Sequence, residues 1–293
     1  MGILLGLATA LCWGSADLFA RFATRSLGAF RTMLYMQMIG FVLLTAAMPW
    51  LGGWGPLARG LDWRLWAWGI GVGILNTSGT LALYRSFEIG KMSIVAPISA
   101  AYPALTMVLS AITGERLTPA RFAGIALIIL GVVVVARGEA MPGDANPLDD
   151  SRPTKQRLGV GWAVFSAIGF GVMFWLLGFR VVPMMGAAPS VWMIRLTSVL
   201  TTALVMLLAR RPMKLPDLRA NRWIFGVGIL DTSAYLFNNF GMLREQVSVV
   251  SVLASLYGAV TVALAALILK EKISPAQWAG IASIFVGIIL IGR

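Results

Sequence analysis

The chain has 293 residues, of which 58% are apolar and only 12% charged, whereas a soluble domain of this size carries about a quarter. It has no histidine and one cysteine, Cys12. That excludes histidine-based general bases, histidine or cysteine metal sites and any internal disulfide.

The first apolar run follows Met1 without a charged leader and continues to about Phe19, which predicts a membrane span and not a cleaved signal. Ten such runs follow one another, near residues 2–20, 32–50, 65–84, 92–113, 119–136, 159–179, 187–209, 223–243, 247–269 and 275–292. Each is about the length that crosses a bilayer as a helix. The formal net charge of +12 sits in the connections between them. It reads as loops that set topology and meet anionic lipid, and not as a nucleic-acid surface. Trp50, Trp54, Trp63, Trp66 and Trp68 cluster around the second connection and predict an interfacial belt. The longest polar stretch, RGEAMPGDANPLDDSRPTKQR from Arg137 to Arg157, reads as a linker.

The two sides of that linker repeat each other. GILNTS at Gly73 returns as GILDTS at Gly228, 155 positions later, and the same offset pairs Gly14 with Gly169 and Tyr102 with Tyr257. GERLTPARFAG (Gly114 to Gly124) returns as KEKISPAQWAG (Lys270 to Gly280). The expected organisation is a five-helix repeat over 1–136, a linker over 137–157 and a second five-helix repeat over 158–293. Five is odd, so the second repeat enters the membrane from the opposite side. The fold class is an all-α membrane protein with ten transmembrane helices as two inverted repeats, an arrangement common among secondary transporters.

Thr118–Pro119 and Ser274–Pro275 have the composition of helix starts, a hydroxyl cap followed by proline in the first turn. Glu115 and Glu271, just before them, read as caps or as ion pairs with Arg116 and Lys272. Gly124, Gly131, Gly280 and Gly287 give spans 5 and 10 small faces that predict close packing of the two, with Gly124 facing Gly280.

These motifs resemble the ten-helix drug/metabolite transporter superfamily of the EamA type. The resemblance is carried by CWGSADLFARF (Cys12 to Phe22), APISAAYPALT (Ala96 to Thr106) and GERLTPARFAG with its second copy, and it covers nearly the whole chain. Within it, the chain looks most like the bacterial aromatic amino acid exporters. The resemblance implies a monomeric exporter of small metabolites in the bacterial inner membrane, surrounded by lipid, with a cavity lined by spans 1, 3, 4, 6, 8 and 9. It implies no cofactor. No phosphate-binding loop of the Walker type is present, so ATP-driven pumping by this chain is not expected. A drug or nucleoside-like metabolite exporter of the same fold is the alternative, and a membrane structural protein a more distant one.

Polar residues inside spans usually face the bundle interior. Asn76, Thr80 and Tyr84 recur every four residues in span 3, and Asp231, Tyr235, Asn238 and Asn239 share a face of span 8. Both stripes are expected to line the cavity, unless they only bind helix to helix. Asp231 replaces Asn76 of the other repeat. It either meets a substrate ammonium or a coupling proton, or pairs with Arg195, the one basic residue deep in a span, which in turn could hold a substrate carboxylate. Asp17, near the end of span 1, reads as an interfacial pair with Arg21. Trp13, Tyr102, Phe174, Trp175, Tyr235 and Tyr257 are candidate rings for an apolar substrate. Pro97 and Pro103 predict a kink in span 4 that serves as a hinge. They align with Val252 and Gly258, so span 9 lacks both. Basic residues of the linker and odd-numbered loops outnumber those of the even loops and the C-terminus by 16 to 7. That count puts both termini outside, whereas the resemblance implies that they are cytoplasmic.

Overall fold

The computed structural model describes residues 1–58, 62–113, 118–137, 153–244 and 247–291. Glu115, Arg116, Arg293 and most of the linker lie outside these. Every regular element among the described residues is helical. Span 1 is Gly2–Leu27, span 2 Ala29–Ala47 and span 3 Trp63–Ile89, with a short helix Trp54–Ala58 before span 3. Span 4 is broken into Met92–Ala100 and Pro103–Ile112, and span 5 is Pro119–Arg137. Span 6 runs through Pro153–Leu176, a π turn at Leu177–Val181 and Val182–Met185. Span 7 is Ala187–Leu208 and span 8 Leu218–Met242. Span 9 is broken into Val247–Ser255 and Tyr257–Leu267, and span 10 is Pro275–Ile291. Six of these segments are apolar and long enough to cross a bilayer by composition alone. Spans 5 and 10 are apolar but shorter, and spans 3 and 8 carry the polar stripes.

Packing follows the repeat. Span 1 lies against span 8 as span 6 lies against span 3, and span 2 packs on span 8 as span 7 packs on span 3. Spans 4 and 9 meet, and so do spans 5 and 10. Exchanging the first five spans for the last five maps these pairs onto one another, as two inverted repeats require. The links between spans 1 and 2 and between spans 6 and 7 are single glycines, Gly28 and Gly186. Their φ values of 82° and 92° are in the left-handed region that favours glycine. They are 158 positions apart and not 155. The second repeat has therefore gained residues before Gly186, in the stretch where the π turn widens the helix.

Spans 5 and 10 approach closely, but in a register the spacing did not give. A Cβ on Gly131 would lie 2.6 Å from the Gly280 carbonyl oxygen, and one on Gly124 would lie 2.7 Å from that of Gly287. Gly124 therefore faces Gly287 and not Gly280. The pairing is antiparallel, so the early part of one helix meets the late part of the other.

Local capping is as the sequence suggests at Ser274. Its hydroxyl accepts from the Gln277 amide at 3.2 Å, and Gln277 Oε1 accepts from the Ser274 amide at 2.9 Å, a reciprocal capping box. Glu271 also acts as a cap and an ion-pair partner, but for another helix and for Arg21. Its carboxylate accepts the amides of Met92 and Ser93 at 3.1 and 2.8 Å, capping span 4 from across the fold. It also lies 3.6 Å from Arg21. Arg21 donates to the carbonyls of Phe87 and Gly90 at the end of span 3. One buried ion pair thus fastens the ends of spans 1 and 3, the start of span 4 and the approach to span 10. Glu271→Gln keeps the shape but removes the charge facing two open amides and Arg21. A loss of about 1–3 kcal/mol is expected, read as a lower unfolding temperature in detergent micelles. An unchanged temperature would mean that the cap carries no load.

Candidate functional site

At the middle of the bundle, spans 1, 3, 4, 6, 8 and 9 enclose a cavity of about 40 Å³. Its lining is Trp13, Ala16 and Asp17 from span 1, Thr80, Leu83 and Tyr84 from span 3, and Tyr102 from span 4. Phe170 and Phe174 come from span 6, Asp231 and Tyr235 from span 8, and Tyr257 from span 9. The space holds about one water molecule.

Rings form most of the wall. Trp13 meets Phe174, Tyr235 and Tyr257 edge-on, with centroids 5.6, 5.1 and 6.0 Å apart. Tyr102 stacks on Phe174 at 4.8 Å. Such pairs hold one another in fixed orientations. Both Tyr102 and Tyr257 sit at the breaks of spans 4 and 9. In span 4 the Ala101 and Tyr102 amides reach only three residues back, to Ile98 and Ser99, and in span 9 the Leu256 amide reaches Leu253. The break at Ala101–Tyr102 therefore recurs at Leu256 in a helix without the two prolines. Pro97 lies inside the first half of span 4, and Pro103 starts the second. Position in the repeat, more than proline, fixes where these helices break.

Behind the rings lies a polar network. Tyr235 donates to Asn76 Oδ1 at 2.6 Å, and Asn76 donates to Ser198 at 3.1 Å, joining spans 8, 3 and 7. Arg195 is fully buried. It donates to Asp231 Oδ2 at 2.7 Å and to Gln37, with its guanidinium 5.2 Å from the centre of the Tyr235 ring. Asp231 thus lines the cavity and pairs with Arg195 at the same time.

Of the residues singled out by sequence, Trp13, Thr80, Tyr84, Tyr102, Phe174, Asp231, Tyr235 and Tyr257 meet at the cavity. Asn76 and Arg195 stand one hydrogen bond behind it. Asn238 and Asn239 are buried elsewhere. Asn239 donates to the Ala187 carbonyl at the start of span 7, and Asn238 to Asn239 and Met242. Trp175 is half-buried off the lining, its indole N–H without a partner.

Asp17 is a correction. It is not an interfacial partner of Arg21, which turns toward span 3 and Glu271. Asp17 faces the cavity and accepts from Thr261 at 2.9 Å. Its spacing of four from Trp13 was the available signal, as was that of Phe170 from Phe174. A larger space of about 690 Å³, lined by Arg31, Arg85, Arg211 and the exposed Trp162 and Phe165 among others, shares no lining residue with the central one. No group of three His, Cys, Asp or Glu among the described residues is placed to hold a metal ion.

A duplicated helical bundle with a central cavity between its halves is the build of a multi-pass membrane transporter. The chain belongs to the EamA-like transporter family, whose sequence model matches it twice, over residues 1–137 and 157–293. A protein of Methanocaldococcus jannaschii, MJ1333.1, itself uncharacterized, is 30% identical over 135 residues, which are 46% of this chain and 95% of that one. A protein of known crystal structure shares the fold, with a TM-score of 0.69 and 22% identity over 99% of this chain and 95% of its own.

Proposed function

We propose that the chain exports small metabolites, foremost neutral and aromatic amino acids, across a bacterial inner membrane by alternating access through the central cavity. The observation that carries this reading is the cavity itself, about 40 Å³ in volume, ringed by aromatic side chains and lined by two carboxylates, Asp17 and Asp231. A site that opens around an apolar solute is lined by rings and a few fixed polar groups, as this one is. Helical spans suit the inner membrane, because outer-membrane proteins of bacteria span as barrels. The moving units in this proposal are residues 1–136 and 158–293, joined by the linker 137–157, in a single chain acting as a monomer.

The test is efflux from liposomes holding the purified chain, screened across amino acids with and without a pH gradient. Movement of aromatic amino acids is expected. Movement of nucleosides or drugs alone would shift the reading to the other exporter class, and movement of nothing would remove transport altogether.

The paired breaks at residues 101–102 and 256 are the hinges in this scheme, with Pro97 and Pro103 as aids. Because span 9 breaks without proline, Pro103→Ala is expected to leave efflux within about twofold of the parent, since the surrounding fold sets the bend. A tenfold loss in a correctly folded variant would return the hinge to the proline.

A further inference from the structure

We propose that Asp17 is the anchor in the central cavity for the cationic nitrogen of a small amine-bearing substrate, and that Asp231 is not. This rests on the transporter reading above and deepens it.

The two carboxylates of the cavity have different surroundings. Asp231 lies 2.7 Å from the Arg195 guanidinium, so its charge is matched within the protein. Asp17 is 6% exposed, and its hydrogen-bond partner is the neutral hydroxyl of Thr261. No lysine or arginine is among the described residues lining the cavity. Arg21, one helical turn further along, is engaged by Phe87, Gly90 and Glu271. The other ionisable side chains around the space are Tyr84, Tyr102, Tyr235 and Tyr257, together with Asp231. An ionised carboxylate in a low-dielectric interior needs a cation, and one hydroxyl does not supply it.

A second observation points to the same place. The Tyr257 hydroxyl is buried, belongs to the same lining and has no hydrogen-bond partner. Its repeat mate Tyr102 does have one, the Ser251 carbonyl at 3.2 Å. A buried hydroxyl without a protein partner in the lining is where a polar group of a ligand can bond. Here an ammonium would donate to Asp17 and to the Tyr257 oxygen, with Trp13 beside it as a cation–π surface. Leu83, Phe170 and Phe174 of the same lining offer apolar surface. The ligand chemistry is an amine at one end and an apolar or aromatic body at the other, and the space of about 40 Å³ must widen to admit it.

The competing account is that Asp17 is protonated and serves only to bond Thr261. Asp17→Asn keeps that bond and removes the anchor, so it separates the two. The measurement is equilibrium binding of labelled 2-phenylethylamine and of 3-phenylpropionate, which has the same ring without the amine, to the full chain in micelles. The expected result is saturable amine binding that weakens at least tenfold in Asp17→Asn, recovers to within threefold in Asp17→Glu, and has no counterpart for the acid. Thr261→Val, which leaves the carboxylate but frees it to turn, is expected to weaken the amine severalfold and guards against a misfolded Asn variant. Equal amine binding by the parent and Asp17→Asn, or no amine binding by the parent, would overturn the proposal. Liposome efflux of amine-free solutes keeps it separate from the transport reading. If Asp17→Asn loses the amine but still moves such solutes, the anchor stands apart from the pathway. If nothing is moved by the parent while the amine binds, transport fails and the anchor does not.

Discussion

Replacing Arg195 by Met is expected to cost about 3–5 kcal/mol of stability, the loss typical of breaking a buried ion pair from one side. The guanidinium is fully buried and serves Asp231, Gln37 and the face of Tyr235 at once. Without it, the Asp231 carboxylate loses its partner beside the cavity, and Gln37 loses a donor. The double variant Arg195→Met/Asp231→Leu removes both charges and is expected to regain most of the loss, because apolar residues of similar volume replace such pairs at little cost. A double-mutant cycle from denaturant unfolding in micelles measures the coupling directly. Strictly additive single effects would show that the pair is not a unit, and Asp231 would then regain its candidacy as a ligand group.

A leucine at Gly131 is expected to be as damaging for a different reason. A methyl carbon there would already meet the Gly280 carbonyl at 2.6 Å and the Ile284 amide nitrogen at 2.9 Å. Those are backbone atoms of span 10 and cannot swing aside as a side chain can. Spans 5 and 10 have to separate, losing the close van der Waals contact that holds helices together in lipid. Overpacking alone costs about 1–3 kcal/mol, and parting the two helices adds to it. Gly161→Ala is the control, since a Cβ there meets nothing within 4 Å. It is expected to be neutral or slightly stabilising. The check is the yield of monodisperse protein and its unfolding temperature. A Gly131→Leu chain as stable as the control would place the contact elsewhere.

How the site was and was not legible follows from particular residues. The four-residue spacing in Asn76, Thr80 and Tyr84 marked an inward face, and all three are buried. The same reasoning placed Asn238 and Asn239 beside Asp231 and Tyr235 on one stripe. A stripe runs along the whole helix, however, and the cavity occupies only part of its length. The two asparagines belong to the level where span 8 meets the start of span 7. Asp17 was misplaced because Arg21 stands one turn away. Proximity along the helix favoured a pair that crossing helices then divided, Arg21 to the ends of spans 3 and 9 and Asp17 to Thr261.

What the sequence determined by itself was everything that depends on runs and periods. These are the apolar lengths that make helices in a membrane, the duplication at 155, the inversion that an odd helix number forces, and the small faces of spans 5 and 10. Tertiary structure alone decided which glycine meets which, that span 9 breaks without proline, and which of two acids has a matching cation. Hydropathy and spacing are properties of one helix, whereas register, bending and charge pairing are set where helices cross, by side chains far apart in the chain.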